Sequence, residues 1–292
     1  MATASEHDAE TALRQTLRWL GAAPLGALAQ LACRFGYGAR GFVYLSIGAI
    51  AVLAALDRVP EAEGSMGAME AWAQWPAGWV LLWITGLGLY GFAGWRILQS
   101  VFDADRQGTS LKALASRTGQ GVSAAVYGVL GFSVFGALDV LGDLGEPDDR
   151  DAEQAAVEQA LSFPGGEWLI IGVGGFILTA GVANLVKAIR GGLCKRLVCE
   201  GGAARLADPL GRLGYGARGV AFVVAGFMMG QAGLHANASE AAGMSEALQA
   251  MENAPYGDAV LVLIALGLVC FGAFALMEAR YRTIPAGDVV DD

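Results

Sequence analysis

The octapeptide Arg34-Phe-Gly-Tyr-Gly-Ala-Arg-Gly41 returns almost unchanged as Arg212-Leu-Gly-Tyr-Gly-Ala-Arg-Gly219. A worn third copy, Arg117-Thr-Gly-Gln-Gly-Val-Ser-Ala124, lies between them. Each copy opens a long apolar run, so the chain reads as one helical unit used three times. Only 16% of the residues are charged and 55% are hydrophobic, whereas a soluble domain of this size carries roughly 25% charged residues. A helix needs about 20 mostly apolar residues to cross a bilayer. Windows at about 39–56, 77–97, 121–138, 167–186, 216–234 and 258–277 meet or approach that length. They are too long and too even for barrel strands, which alternate over about 10 residues. The expected class is an all-α membrane protein with six transmembrane helices.

The charges sort by connection. Seventeen of the 19 Lys and Arg fall on one side of the six windows, and only Arg58 and Arg150 fall on the other. The opposite connections hold the acids, including the run through Asp143, Glu146, Asp148, Asp149, Asp151 and Glu153. The positive-inside rule then places both termini in the cytoplasm. The acidic start (Glu6, Asp8, Glu10) lacks the pattern of a cleaved signal, so the first spanning helix is expected to direct insertion.

Residues 1–33 read as a cytoplasmic tail with interfacial helices, because Leu13, Leu17 and Leu20 recur at helical spacing beside Arg14, Arg18 and Trp19. Three units follow, at 34–108, 109–193 and 194–292. Within each, residues at offsets of 4, 7 and 11 from the motif's fourth residue share a helix face with it. That face holds Tyr37, Gly41, Tyr44 and Gly48 in the first copy, Gln120, Ala124, Tyr127 and Gly131 in the second, and Tyr215, Gly219, Phe222 and Gly226 in the third. Small residues alternating with rings suit close helix packing; a face for ligand stacking is the other reading. Short amphipathic helices are expected at about 65–74, 152–162 and 244–253. Each leads to Pro-x-Gly (Pro76, Pro164, Pro255), where proline suits the first helical turn. Two crossings per unit give all three units one orientation, hence a pseudo-threefold bundle about the membrane normal. Gly86-x-Gly88-x-x-Gly91 matches a dinucleotide-binding pattern but has no strand before it, so packing explains it better.

Three such motifs, each leading an apolar run and followed by Pro-x-Gly and a second run, resemble the bacterial membrane family called domain of unknown function 1206. The resemblance runs from about Pro24 to Arg282. It implies three repeats and six spans and no established activity. The middle copy departs from the pattern, with Gln120 and Ser123 where the others have Tyr and Arg.

No catalytic constellation is legible. His7 and His235 lie outside the apolar windows, which argues against membrane-embedded haem or histidine metal centres. Cys194 and Cys199 lack zinc spacing and a nearby histidine, and disulfides are not expected on the cytoplasmic side. The central part of each window is free of charge, so no buried carboxylate for proton coupling and no nucleophile with a base is expected. We therefore expect no enzyme, no cofactor, no metal and no nucleic-acid partner. The candidate contacts for an anionic lipid headgroup or another ligand are Arg34, Arg40, Arg117, Arg212, Arg218, Tyr37 and Tyr215, with the arginines at the cytoplasmic rim. Plain interfacial anchoring is the other reading of these arginines. Asn184 and Lys187 are candidate intramembrane polar contacts. If a site exists, Arg40 and Arg218 are expected to matter and Ser123 not.

These features point to a non-enzymatic scaffold, assembly factor or accessory subunit of a membrane complex, with membrane lipids and protein partners. The alternative is a channel or passive transporter with a pore on the pseudo-threefold axis.

Overall fold

The computed structural model describes residues 30–282, apart from 60–61, 63, 66–67, 69–70, 73–77, 106, 141–148 and 198–201. The expected tail and interfacial helices before residue 30 lie outside it. Eight helices carry the described chain. They are α1 (Gln30–Ala54), α2 (Gly78–Val101), α3 (Leu111–Val140), α4 (Asp149–Leu161), α5 (Gly166–Arg190), α6 (Gly202–His235), α7 (Met244–Glu252) and α8 (Gly257–Tyr281). Five of them are long and apolar enough to cross a membrane: α1, α2, α5, α6 from Arg205, and α8. The sixth expected window lies within α3, which is not one of the five. Among the described residues the sole β pairing is an isolated bridge between Leu197 and Arg282.

The long helices form a series of neighbours: α3, α2, α1, α8, α6, α5. Gly36 lies against the backbone of Phe92, so α1 meets α2 at close range. On its other side α1 meets α8, where a methyl group on Gly272 would come within 2.6 Å of the Gly41 carbonyl oxygen. The pair α6–α5 repeats that contact, for a methyl on Gly181 would come within 2.9 Å of the Gly219 carbonyl. Backbones approach this closely only where neither helix carries a side chain. The stripe of Gly41, Gly48, Gly219 and Gly226 thus sits at helix–helix contacts. Rings fill the remaining space: Tyr37 and Tyr215 present edges to Phe92 and Phe271, with centroids 5.2 Å apart in both pairs. Such edge-to-face pairs contribute about 0.5–1.5 kcal/mol beyond their buried area.

Two expectations shift. The first helix already runs at Gln30, nine positions before the apolar window, because the arginines of the motif depress hydropathy over a segment that is nonetheless helical. Pro164 and Pro255 do not occupy the first helical turn, and Pro76 lies outside the described residues. Gly165 and Tyr256 take left-handed backbone conformations with φ of 82° and 63°, and the helices start at Gly166 and Gly257. There the last turn of the preceding short helix rests on the glycine: a methyl at Gly166 would collide with the Ala160 carbonyl, and one at Gly257 with the Glu252 carbonyl. The expected outer helices at 152–162 and 244–253 correspond to α4 and α7. The one expected at 65–74 lies mostly outside the described residues.

Candidate functional site

The five motif arginines divide into two groups with different work. Arg34, Arg117 and Arg212 each reach the last carbonyls of another helix. Arg34 Nη1 donates to the carbonyls of Ala279 and Arg280 at the end of α8 (3.0 and 2.6 Å). Arg117 donates from Nε to Ser100 and from Nη2 to Val101 at the end of α2 (2.9 Å each). Arg212 donates from Nε to Ala188 and from Nη2 to Ile189 near the end of α5 (2.9 and 3.3 Å). The last four carbonyls of a helix lack intrahelical partners, and a cation there also meets the negative end of the helix dipole. These three side chains clamp helix ends together.

Arg40 and Arg218 are elsewhere. The sequence reading puts them at the rim, but Arg40 lies in the middle third of α1 and is only 3% exposed, and Arg218 lies midway along α6, half-buried. The cause is the early start of α1 and the length of α6, which carry the motif inward. Their guanidinium groups meet around one ring. Cζ of Arg40 is 4.5 Å from the centroid of Phe271 and 5.5 Å from that of Phe92. Cζ of Arg218 is 5.1 Å from Phe271, 4.2 Å from Phe222 and 5.3 Å from Tyr44. Arg218 Nε donates to the Tyr44 hydroxyl at 2.8 Å. Arg40 Nε has no hydrogen-bond partner, and Arg40 enters no ion pair among the described residues.

Two further cations border this cluster. Arg96 lies 4.9 Å from the Phe92 ring, and Lys187 Nζ lies 5.3 Å from the Tyr215 ring. Lys187 is in electrostatic reach of Arg40, Arg96 and Arg218. Taking a cation out of water costs several kcal/mol even after relaxation. A desolvated cation–π contact returns about 2 kcal/mol. Two rings against Arg40 offset part of its burial, and the four cations outnumber the one carboxylate in reach, Glu278, so the cluster is net positive.

One carboxylate, Glu278, lies in electrostatic reach of Arg40 and Lys187, and its Oε2 is buried without a hydrogen-bond partner. Glu278 Oε1 accepts from Arg282 Nη1 at 3.0 Å. Arg282 also lies 3.9 Å from Asp105, whose Oδ2 accepts from Gln99 Nε2 at 2.8 Å, while Gln99 Oε1 accepts from Arg96 Nη1 at 3.1 Å. This chain of polar groups ties the ends of α2 and α8. Sequence reasoning missed it. Its local signals are the i,i+3 spacing of Arg96 and Gln99 and the i,i+4 spacing of Glu278 and Arg282.

Tyr37 and Tyr215 are buried packing rings. Arg282 also lies over Tyr37, 4.9 Å from its centroid. Asn184 is buried on α5, one turn from Lys187. Two shallow surface grooves, one along Ala156–Leu169 and one between α1 and α2 beside Phe35 and Ile84, hold none of the interior cations. Cys33 and Cys270 are free thiols, and Cys199 lies outside the described residues. Among the described residues no three His, Cys, Asp or Glu side chains gather as metal ligands would.

The family described as Domain of Unknown Function (DUF1206) matches this chain over residues 35–103 and again over 213–282. Two stretches of the chain are thus similar to one family model. The two matched regions hold the two closely packed helix pairs, α1–α2 and α6–α8, and each supplies one interior arginine and one of the rings Phe92 and Phe271. A protein of Bacillus subtilis (strain 168), "Uncharacterized protein YxxB", is 27% identical over 258 residues, spanning 85% of this chain and 90% of that protein. Comparison with the solved structures gives no match.

Proposed function

We propose that this chain is a non-enzymatic component of the bacterial inner membrane that holds an anionic ligand inside a six-span bundle. In this reading α3 is the sixth span, the three units stand around a pseudo-threefold axis, and both termini are cytoplasmic. The role is that of an accessory subunit or assembly factor: the interior binds a group and does not transform it. One observation carries the reading. Arg40 is buried, unpaired and set beside a second arginine on a shared ring, which is the arrangement an incoming anion would neutralise. Arginine forks suit phosphate and carboxylate oxygens. The three clamping arginines support the ring arrangement, since each joins the start of one unit to the end of another.

The pore reading has less behind it. Phe92, Phe271, Tyr37 and Tyr44 fill the space between α1, α2, α6 and α8, where an open path would need room for water.

Thermal unfolding of the detergent-purified protein tests the reading, with inorganic phosphate added in one series and phosphatidylglycerol in another. At least one should raise the midpoint of the wild type, and neither should raise that of the double variant Arg40→Gln, Arg218→Gln. A wild type indifferent to both would sink the proposal.

A further inference from the structure

Resting on that anion-binding reading, we infer that the ligand is the phosphate headgroup of an anionic lipid, admitted sideways through a slot between α3 and α5. The observation is an asymmetry between the three motif copies. In the first and third, the helix that carries the motif packs closely on the helix that follows Pro-x-Gly. Gly36 and Gly214 have the backbones of Phe92 and Phe271 against them. In the middle copy the corresponding glycine, Gly119, has nothing within 4 Å. Helices α3 and α5 make little contact with each other among the described residues.

Exposure follows the same division. Val126 stands where the other copies have Val43 and Ala221; it is 56% exposed, and they are 3% and 0%. On the opposite wall Ala183 and Lys187 are exposed, whereas their counterparts by Pro-x-Gly spacing, Trp95 and Gln99 in the first copy and Phe274 and Glu278 in the third, are buried. The sequence supplies the cause. Counting from the prolines, Ala180 occupies the position of Phe92 and Phe271. Gln120 replaces the tyrosine that would meet that ring. With neither ring present, nothing draws α3 and α5 together.

The slot has two chemically distinct ends. Its outer walls are apolar, with Val126 on one side and Val173 and Phe176 on the other, all exposed. Its inner end reaches polar groups without partners. Gln120 is buried and its Oε1 accepts no hydrogen bond. Lys187 stands in the slot with Nζ near the Tyr215 ring. Beyond lies Arg40 with its free Nε, and Tyr127 of α3 brings its ring to 4.7 Å from Phe92, which Arg40 also contacts. Ser123 stands where the other copies place an arginine, so the cation cluster is least crowded on this side. Cations inside and hydrocarbon walls outside complement an amphiphile: the phosphate meets Arg40, Lys187 and Arg218, and the acyl chains leave between α3 and α5. A free phosphate satisfies the cations and leaves the apolar walls uncovered.

The test uses full-length protein in nanodiscs of phosphatidylcholine with 10% phosphatidylglycerol, extracted mildly and weighed by native mass spectrometry. Wild type should retain phosphatidylglycerol. Ala180→Phe restores the missing ring, and Gly119→Leu obstructs the facing wall; each should reduce retention by about tenfold or more, the effect of losing one charge-assisted contact. The second variant serves if the first does not fold. Retention unchanged in both folded variants overturns the slot. Stabilisation by inorganic phosphate equal to that by phosphatidylglycerol overturns the lipid assignment and leaves the anion reading standing. Retention unchanged in Arg40→Gln, Arg218→Gln overturns both. A dimer that buries α3 and α5 and carries no lipid also overturns the slot.

Discussion

Arg40 and Arg218 come from opposite ends of the sequence and place their guanidinium carbons 4.5 and 5.1 Å from the same ring, that of Phe271. Like charges this close repel unless something intervenes. The ring is what the two cations share, and Phe271 also packs against Tyr44 and Tyr215. Phe271→Ala should therefore lower stability by about 3–5 kcal/mol, the range for deleting a buried aromatic side chain. Denaturant or thermal unfolding in a fixed detergent reads this. Phosphatidylglycerol should return more stability to the variant than it adds to the wild type, because an anion relieves the repulsion the ring no longer screens.

Gly272 and Gly38 make a contrasting pair. A methyl at Gly272 would lie 2.6 Å from the Gly41 carbonyl oxygen and 2.7 Å from the Leu45 amide nitrogen, both backbone atoms that cannot swing aside. Gly272→Ala should cost about 1–3 kcal/mol, as overpacking does. Gly38 sits on α1 with open space around it. Gly38→Ala should be neutral or add up to about 1 kcal/mol through helix propensity. Equal losses at the two sites would contradict the α1–α8 contact described above.

The helix-end clamps give a local prediction. Arg212→Ala removes two donors from the carbonyls of Ala188 and Ile189. Each such bond contributes about 0.5–1.5 kcal/mol net. Amide hydrogen exchange should accelerate in the last turn of α5 and in the 191–197 connection. The middle of α5 should keep its protection. Leu193 will respond less than its neighbours, since its amide donates to Asp208 Oδ1 at 2.9 Å.

Asp103 closes the turn after α2. Its carboxylate accepts from the amides of Gln107 and Gly108 at 2.8 and 2.7 Å, and these bonds hold its pKa below the usual carboxylate range. A depressed folded pKa means that the turn's added stability is complete above the ordinary aspartate value of about 3.9 and is lost as pH falls through the folded value. Exchange protection of the Gln107 and Gly108 amides should therefore stay level from neutral pH down to about 5 and decline below about 4. Asp103→Asn should remove the decline.

Much of the architecture is legible in the sequence because hydropathy and glycine spacing are local signals. Five helices that could cross a membrane occupy windows read from composition, and Gly41 with Gly219 shows a packing face before any partner is known. The depth of Arg40 and Arg218 is not legible. A hydropathy window sees two arginines in eight residues and starts the span beside the second, at the rim; it cannot see that Phe92 and Phe271, from other helices, and Phe222, one turn on from Arg218, will supply faces for the charge. The tie from Arg96 through Gln99 and Asp105 to Arg282 is hidden for a similar reason, since it joins the ends of two helices that no sequence period connects. The departure of the middle motif copy is visible at Gln120 and Ser123. Its structural meaning lies on the other helix, at Ala180, where an alanine in an apolar run looks ordinary until it is compared with Phe92 and Phe271.

The bond from Arg34 to the end of α8 makes the first long helix a neighbour of the last. The polypeptide thus ends its last long helix beside its first. A chain of this kind has no privileged starting point: joining its ends with a linker and cutting in the connection after Arg190 would leave every long-helix contact in place. The order in which a ribosome delivers these helices is one of several that the same packing accepts.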